Sequence, residues 1–178
     1  MGFHHVSLAT KDLEATHRFY TELMGFELVK VKTGPTPGGT GWVRLVFYDT
    51  GGNGMMSFWD LHDDTIGSDF GVDLSDSLGL PTWINHLAFD APTLDDLEAQ
   101  KQCWRENGIT VMEINFGETV SIYTTDPNGI LVEFSSTIRA FATAQERERA
   151  LHDLFAERPE LEDPPEPKFY PPVAAATM

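Results

Sequence analysis

An α+β fold made of two tandem βαβββ modules is what this sequence predicts, and three observations predict it. A strand-helix-three-strand order occurs twice along the chain. The two copies begin alike, with His5-Val6-Ser7-Leu8 and His86-Leu87-Ala88-Phe89. Each ends on a glycine turn and a strand: Gly51-Gly52-Asn53-Gly54 leads to Phe58, and Asp126-Pro127-Asn128-Gly129 leads to Glu133. The modules read as residues 1–61 and 82–138. A connector over 62–81 separates them, and a C-terminal helix with a proline-rich tail follows over 139–178.

Taken in order, Phe3–Thr10 reads as a strand. Asp12 is the N-cap of a helix in which Leu13, Thr16, Tyr20 and Leu23 recur at helical spacing. Gly25 stops it, because glycine tolerates the left-handed conformation there. Phe26–Lys32, Trp42–Asp49 and Met55–Leu61 read as strands. Gly34–Gly41, with two prolines and four glycines, reads as a flexible loop. His62–Pro81 is polar, holds five aspartates and is expected to fold over a pocket. In the second copy Thr82–Asp90 is a strand, and Thr93 caps a helix with Leu94, Leu97 and Trp104 on one face, ending at Asn107-Gly108. Thr110–Asn115, Glu118–Thr125 and Ile130–Ser136 complete the set. Thr143 and Glu146 have capping-box spacing before a charged helix running to about Arg158. From Pro159 the tail is expected to be extended or disordered.

The composition narrows the function classes. The chain has 178 residues, 41% hydrophobic and 11% aromatic, which suits one compact domain or two small modules sharing a core. Its formal net charge of -16 argues against nucleic-acid and anionic-membrane partners, both of which need positive surface. No apolar run reaches the length of a bilayer span, and the N-terminus runs straight into a strand with no signal peptide. Cys103 is the single cysteine, so no intrachain disulfide forms. Together these point to the cytoplasm.

Strand alternation picks out three residues. His5 shares a face with Phe3 and Ser7; His86 shares one with Ala88; Glu133 sits with Leu131 and Ser135. In each strand the other face is aliphatic or aromatic and suits packing under a helix. A lone strand histidine is usually a hydrogen-bonded surface or core residue. Here the two histidines hold matching places in the repeat, and a carboxylate closes it. Two imidazoles and a carboxylate form the ligand set of an open divalent-metal site. His4, His17 and His152 lack that support; His62 is a pocket candidate. Trp42, Arg44, Val46 and Tyr48 share a strand face. The internal alignment pairs Tyr48 with Tyr123, so that face is expected to line the site. Arg44 would there hold a carboxylate or enolate, or else pair with a surface acid.

These motifs resemble the vicinal oxygen chelate superfamily, which includes glyoxalase I, extradiol dioxygenases, methylmalonyl-CoA epimerase and the fosfomycin- and bleomycin-resistance proteins. The resemblance covers residues 3–137, and Asp126-Pro-Asn-Gly-Ile-Leu-Val-Glu133 is its most specific part. It implies paired βαβββ modules curling into a barrel-like cup, with His5, His86 and Glu133 as metal ligands. Glyoxalase-type relatives carry a fourth protein ligand in the first module. A gap-free alignment of the two glycine turns puts Phe58 there, which leaves three ligands, as in Fe(II) sites that bind substrate and O2. Tyr123-Thr-Thr-Asp-Pro-Asn-Gly-Ile-Leu-Val-Glu133 fits the extradiol signature, although its preceding histidine is missing and Asn115 stands in that window.

The resemblance therefore implies a metal-dependent enzyme leaning to extradiol-dioxygenase-like oxidation of a small substrate with adjacent oxygens. Fe(II) or Mn(II) is favoured, with Zn(II) or Ni(II) as alternatives, and Tyr123 would hydrogen-bond the substrate. A glyoxalase- or epimerase-type lyase or isomerase is one alternative. A metal-free, bleomycin-resistance-like drug-binding protein is another. The apolar stripe of Ala144, Leu151, Leu154 and Phe155 on the C-terminal helix suggests a homodimer.

Overall fold

The computed structural model describes residues 2–158, 161 and 163–174. It is α+β, with both modules present in the expected element order. The chain divides into two compact units, Met1–Leu87 with Thr125–Val132, and Ala88–Thr124 with Glu133–Met178.

In the first module β1 (His5–Thr10), β2 (Glu27–Pro35), β3 (Trp42–Gly51) and β4 (Gly54–His62) form a sheet of order β1-β4-β3-β2. β1 lies parallel to β4, and β2 and β3 run antiparallel to their neighbours. The helix α1 (Leu13–Arg18) has only six residues. Asp12 caps it as expected, its side chain accepting the Ala15 N–H at 2.9 Å. A π-helical turn, Phe19–Leu23, widens the next stretch. Gly25 then ends the helix at φ +75°, in the left-handed region a Cβ disfavours. The core under this helical segment is aromatic. Tyr20, Tyr48 and Phe58 are each 0% exposed, and the Tyr20 and Phe58 rings lie 4.9 Å apart.

In the second module β5 (His86–Asp90), β6 (Val111–Asn115), β7 (Thr119–Thr125) and β8 (Leu131–Thr137) follow the same plan, with α2 (Leu94–Glu106) as the helix. Thr93 caps α2 by accepting the Asp96 N–H at 3.1 Å. Trp104, on the buried face of α2, is 0% exposed and packs 5.8 Å from the Phe134 ring. β5 is shorter than the expected Thr82–Asp90 strand, because a turn ends only at His86.

The C-terminal segment adds a strand that the sequence did not suggest. β9 (Lys168–Tyr170) pairs antiparallel with β6, giving the order β5-β8-β7-β6-β9. Lys101 is buried beside it, 2.7 Å from Glu113 and 4.4 Å from the Tyr170 ring centre. The Tyr170 hydroxyl donates to Glu113, and Arg105 Nε donates to the Pro171 carbonyl. Tail positions 159–160, 162 and 175–178 lie outside the described residues. The helix α3 (Ala144–Leu154) has the expected capping box at Thr143 and Glu146, ends before Arg158 and buries no residue among those described.

Candidate functional site

Strand register decides which side chains share a face. His5 pairs with Met55 and Ser7 with Ser57; Ser57 in turn pairs with Phe47. These residues therefore lie on one face, and the His5 ring meets Phe47 edge-on at 6.1 Å. Leu8, Phe58, Val46, Tyr48 and Arg44 lie on the opposite face, the one that α1 covers.

Two expectations are corrected here. Phe58 does not occupy the face of His5; it is fully buried beneath Tyr20. Arg44 also faces the α1 side, away from His5. There it forms an ion pair with Asp60 at 3.6 Å and sits over the Trp42 ring at 5.3 Å. The cause is a β-bulge between Asp49 and Gly51, which places the extra residue of the first turn on its β3 side and so displaces the glycines against the strand register. A gap-free alignment then slips by one, and a one-residue slip moves every side chain to the other face. The residue of β4 that faces with His5 next to the Phe58 position is Ser57. It is buried, and its hydroxyl donates to Ser7 Oγ at 2.8 Å. Serine is a weak metal ligand, so the first module still offers one strong ligand, His5.

In the second module Phe89 and Phe134 pack together at 5.8 Å on the α2 side. By alternation, His86 takes the face away from Phe89 and Glu133 the face away from Phe134. His86 Nδ1 lies 3.2 Å from the Trp83 carbonyl. A carbonyl only accepts, so Nδ1 carries the proton and Nε2 is the basic ring nitrogen. Glu133 is buried, at 6% exposure, and accepts a hydrogen bond from the Tyr123 hydroxyl. Burial pushes the Tyr123 phenol well up from its ordinary value, and the Glu133 carboxylate adds to that shift. Tyr123 thus stays a neutral donor held against Glu133. On the same face Ser121 Oγ donates to Ser135 Oγ at 2.9 Å. Alternation places Ser7 and Ser135 on these faces; their cross-strand partners Ser57 and Ser121 were missed, because finding them needs the strand register.

The Asp126-Pro-Asn-Gly turn does structural work within its own unit. Asp126 accepts the Tyr20 hydroxyl at 2.9 Å, the Asn128 and Ile130 N–H groups at 2.8 Å each, and Asn128 Nδ2 at 2.9 Å. Asn128 also donates to Thr16, which bonds Thr10 at 2.8 Å. Asn115 accepts the Gly117 N–H at 2.8 Å and closes a turn, a role unlike that of the missing extradiol histidine. Among the described residues, no three or more His, Cys, Asp or Glu side chains are gathered as a metal-binding group.

Comparison with known proteins places this architecture. The model of the Glyoxalase/Bleomycin resistance protein/Dioxygenase superfamily matches residues 2–134, and the chain belongs to that superfamily. No curated protein sequence matches it. Among solved structures it is similar to a glyoxylase/bleomycin resistance protein/dioxygenase domain from Frankia sp. EAN1pec, at 18% identity and TM-score 0.59, covering 77% of this chain and 92% of that one. A genomically encoded fosfomycin resistance protein from Listeria monocytogenes is similar at 18% identity and TM-score 0.53, covering 83% and 98%. A lactoylglutathione lyase from Agrobacterium tumefaciens is similar at 21% identity and TM-score 0.50, covering 76% and 92%. At these identities the likeness establishes the fold. Among the described residues, no helix is long and apolar enough to cross a membrane.

Proposed function

We propose that this protein is a metal-dependent enzyme of the vicinal oxygen chelate type, acting on a small substrate with two adjacent oxygens, and that His5, His86 and Glu133 are its metal ligands. The observation that carries this reading is the treatment of Glu133. A buried carboxylate is costly unless it is paired or coordinates a cation, and Tyr123 engages it as a neutral donor. His86 supports the reading, since the Trp83 carbonyl fixes the tautomer that a ligand histidine needs. The donors suit Fe(II) or Mn(II), and also Zn(II) or Ni(II).

A bound divalent ion would supply Lewis acidity to the substrate oxygens. The chain's own residues would do the rest. Tyr123 orients Glu133 instead of meeting substrate directly. Ser7 and Ser57 offer hydroxyls on the His5 face. The extradiol-like oxidation stands as the finer proposal, resting on three strong ligands and the Tyr123-to-Glu133 motif. The lyase or isomerase chemistry of glyoxalase-type relatives is the alternative. We further propose a cytoplasmic homodimer, on the apolar residues that α3 leaves exposed.

Metal analysis of purified protein tests the ligand set. Wild type should carry about one divalent ion per chain, and His86→Ala should lose most of it. A wild-type protein that stays metal-free after incubation with Fe(II), Mn(II), Zn(II) and Ni(II), yet binds an aromatic drug tightly, would establish the drug-binding class instead.

A further inference from the structure

The short α1 leaves part of its own sheet uncovered. A cleft of about 350 Å³ opens there, lined by Leu13, Glu14 and His17 from α1 and by Leu28, Val31, Arg44, Val46 and Tyr48 from the sheet. The register puts Leu28 opposite Tyr48, Val31 opposite Val46 and Thr33 opposite Arg44, so these residues form one continuous surface. It lies on the reverse of the sheet from His5 and Ser57 and shares no residue with the proposed metal ligands.

The lining is apolar along its length and polar at two places. Leu28 and Val31 are 39% and 50% exposed, beyond the reach of α1. Tyr48 lies at the floor, its hydroxyl 3.1 Å from His17 Nδ1 and its ring stacked on that imidazole. Arg44 stands at the other end. Its ion pair with Asp60, at 3.6 Å, is longer than a hydrogen bond. Trp42 lies against one face of the guanidinium, which holds the group in place. Among the described residues its N–H donors meet no hydrogen-bond acceptor. Asp60 is also held by His62, whose Nε2 lies 2.9 Å away. Glu14 is drawn toward Arg18, at 3.5 Å.

We propose that this cleft is a second ligand site, for a small amphipathic carboxylate whose apolar body lies on Leu13, Leu28, Val31 and Val46 and whose carboxylate meets the Arg44 fork. The volume suits a ligand of one ring or a short alkyl chain. The planar guanidinium suits a two-oxygen anion in a bidentate contact.

Titration of isotope-labelled full-length protein with 3-phenylpropionate, and with 3-phenylpropanol as the uncharged probe, tests this by NMR. The acid should give saturable shifts at Leu28, Val31, Val46 and Tyr48, with an affinity at least about tenfold above that of the alcohol. Arg44→Gln, at an exposed end of the strand, should bring the acid down to the alcohol. Val31→Trp should fill the cleft and remove both, while amide dispersion shows that the fold survives. Non-saturating shifts, an equal response to acid and alcohol in wild type, or shifts centred on Ser7 and Ser57 would each overturn the proposal. So would a wild-type dimer that Val31→Trp dissociates, since the cleft would then be covered by a second copy.

Discussion

The two modules share an element order but differ in how their helices cover their sheets. The second has a thirteen-residue helix that sets Trp104 into the sheet at 0% exposure. The first has a six-residue helix and a π-helical turn, and its sheet stays open along β2. There the burial comes from Tyr20, Tyr48 and Phe58 gathered beneath the turn. The sheet faces turned away from the helices differ as well. The second module presents Glu133 with its Tyr123 donor, and the first presents His5 beside a pair of hydrogen-bonded serines. A repeated topology thus fixes where side chains stand without fixing what they do.

The largest expected effect breaks the comparison at the helices. Trp104→Ala should cost about 4 kcal/mol in urea denaturation, whereas Leu13→Ala, on half-buried α1, should cost less than about 1.5 kcal/mol. Similar losses at both would mean that α1 carries as much of the core as α2. The turns come next. Asp126→Ala strands the Tyr20 hydroxyl and two N–H groups and should cost about 3 kcal/mol. Asn53→Gly in the matching turn, where Asn53 has φ 65°, should stay within about 0.5 kcal/mol.

A smaller effect is set by pH. Burial pushes the Tyr48 hydroxyl up to about 12, above its unfolded value near 10. A raised folded value means that the native state keeps a proton the unfolded chain releases. The stabilisation is therefore full below about pH 10 and is lost as pH rises toward about 12. Tyr48→Phe should remove about one proton from the slope of stability against pH in that window; an unchanged slope would show that Tyr48 ionises freely. The smallest effect is expected at α3. Leu151→Ala with Leu154→Ala should leave monomer stability within about 0.5 kcal/mol, because both side chains are mostly exposed. Sedimentation should show these changes weakening the dimer; an unaltered dimer would place its contact elsewhere.

Local signals made much of the fold readable in the sequence. Asp12, Thr93 and Thr143 cap the helices they precede, and Gly25 stops the first, because capping is chemistry within a few residues. Alternation on β1, β5 and β8 was equally local. The site was less readable where two strands had to be aligned through a turn. The bulge at Asp49 and Gly51 leaves no mark that simple alignment detects, yet it decides whether Phe58 or Ser57 shares the face of His5, and which side Arg44 takes. β9 was missed because three residues in a proline-rich tail have no periodicity, and their stability comes from distant partners at Lys101, Arg105 and Glu113.

That last strand bears on how the protein tolerates being shortened. Residues 2–134 carry the family likeness and suggest a convenient fragment. Cutting there would uncover the Val111, Met112 and Glu113 edge of β6, backbone donors and acceptors ready to recruit another chain. It would also leave buried Lys101 without the Tyr170 ring that covers it. The tail is thus a built-in guard against self-adhesion, and the shortened protein should precipitate under conditions that keep the full chain clear.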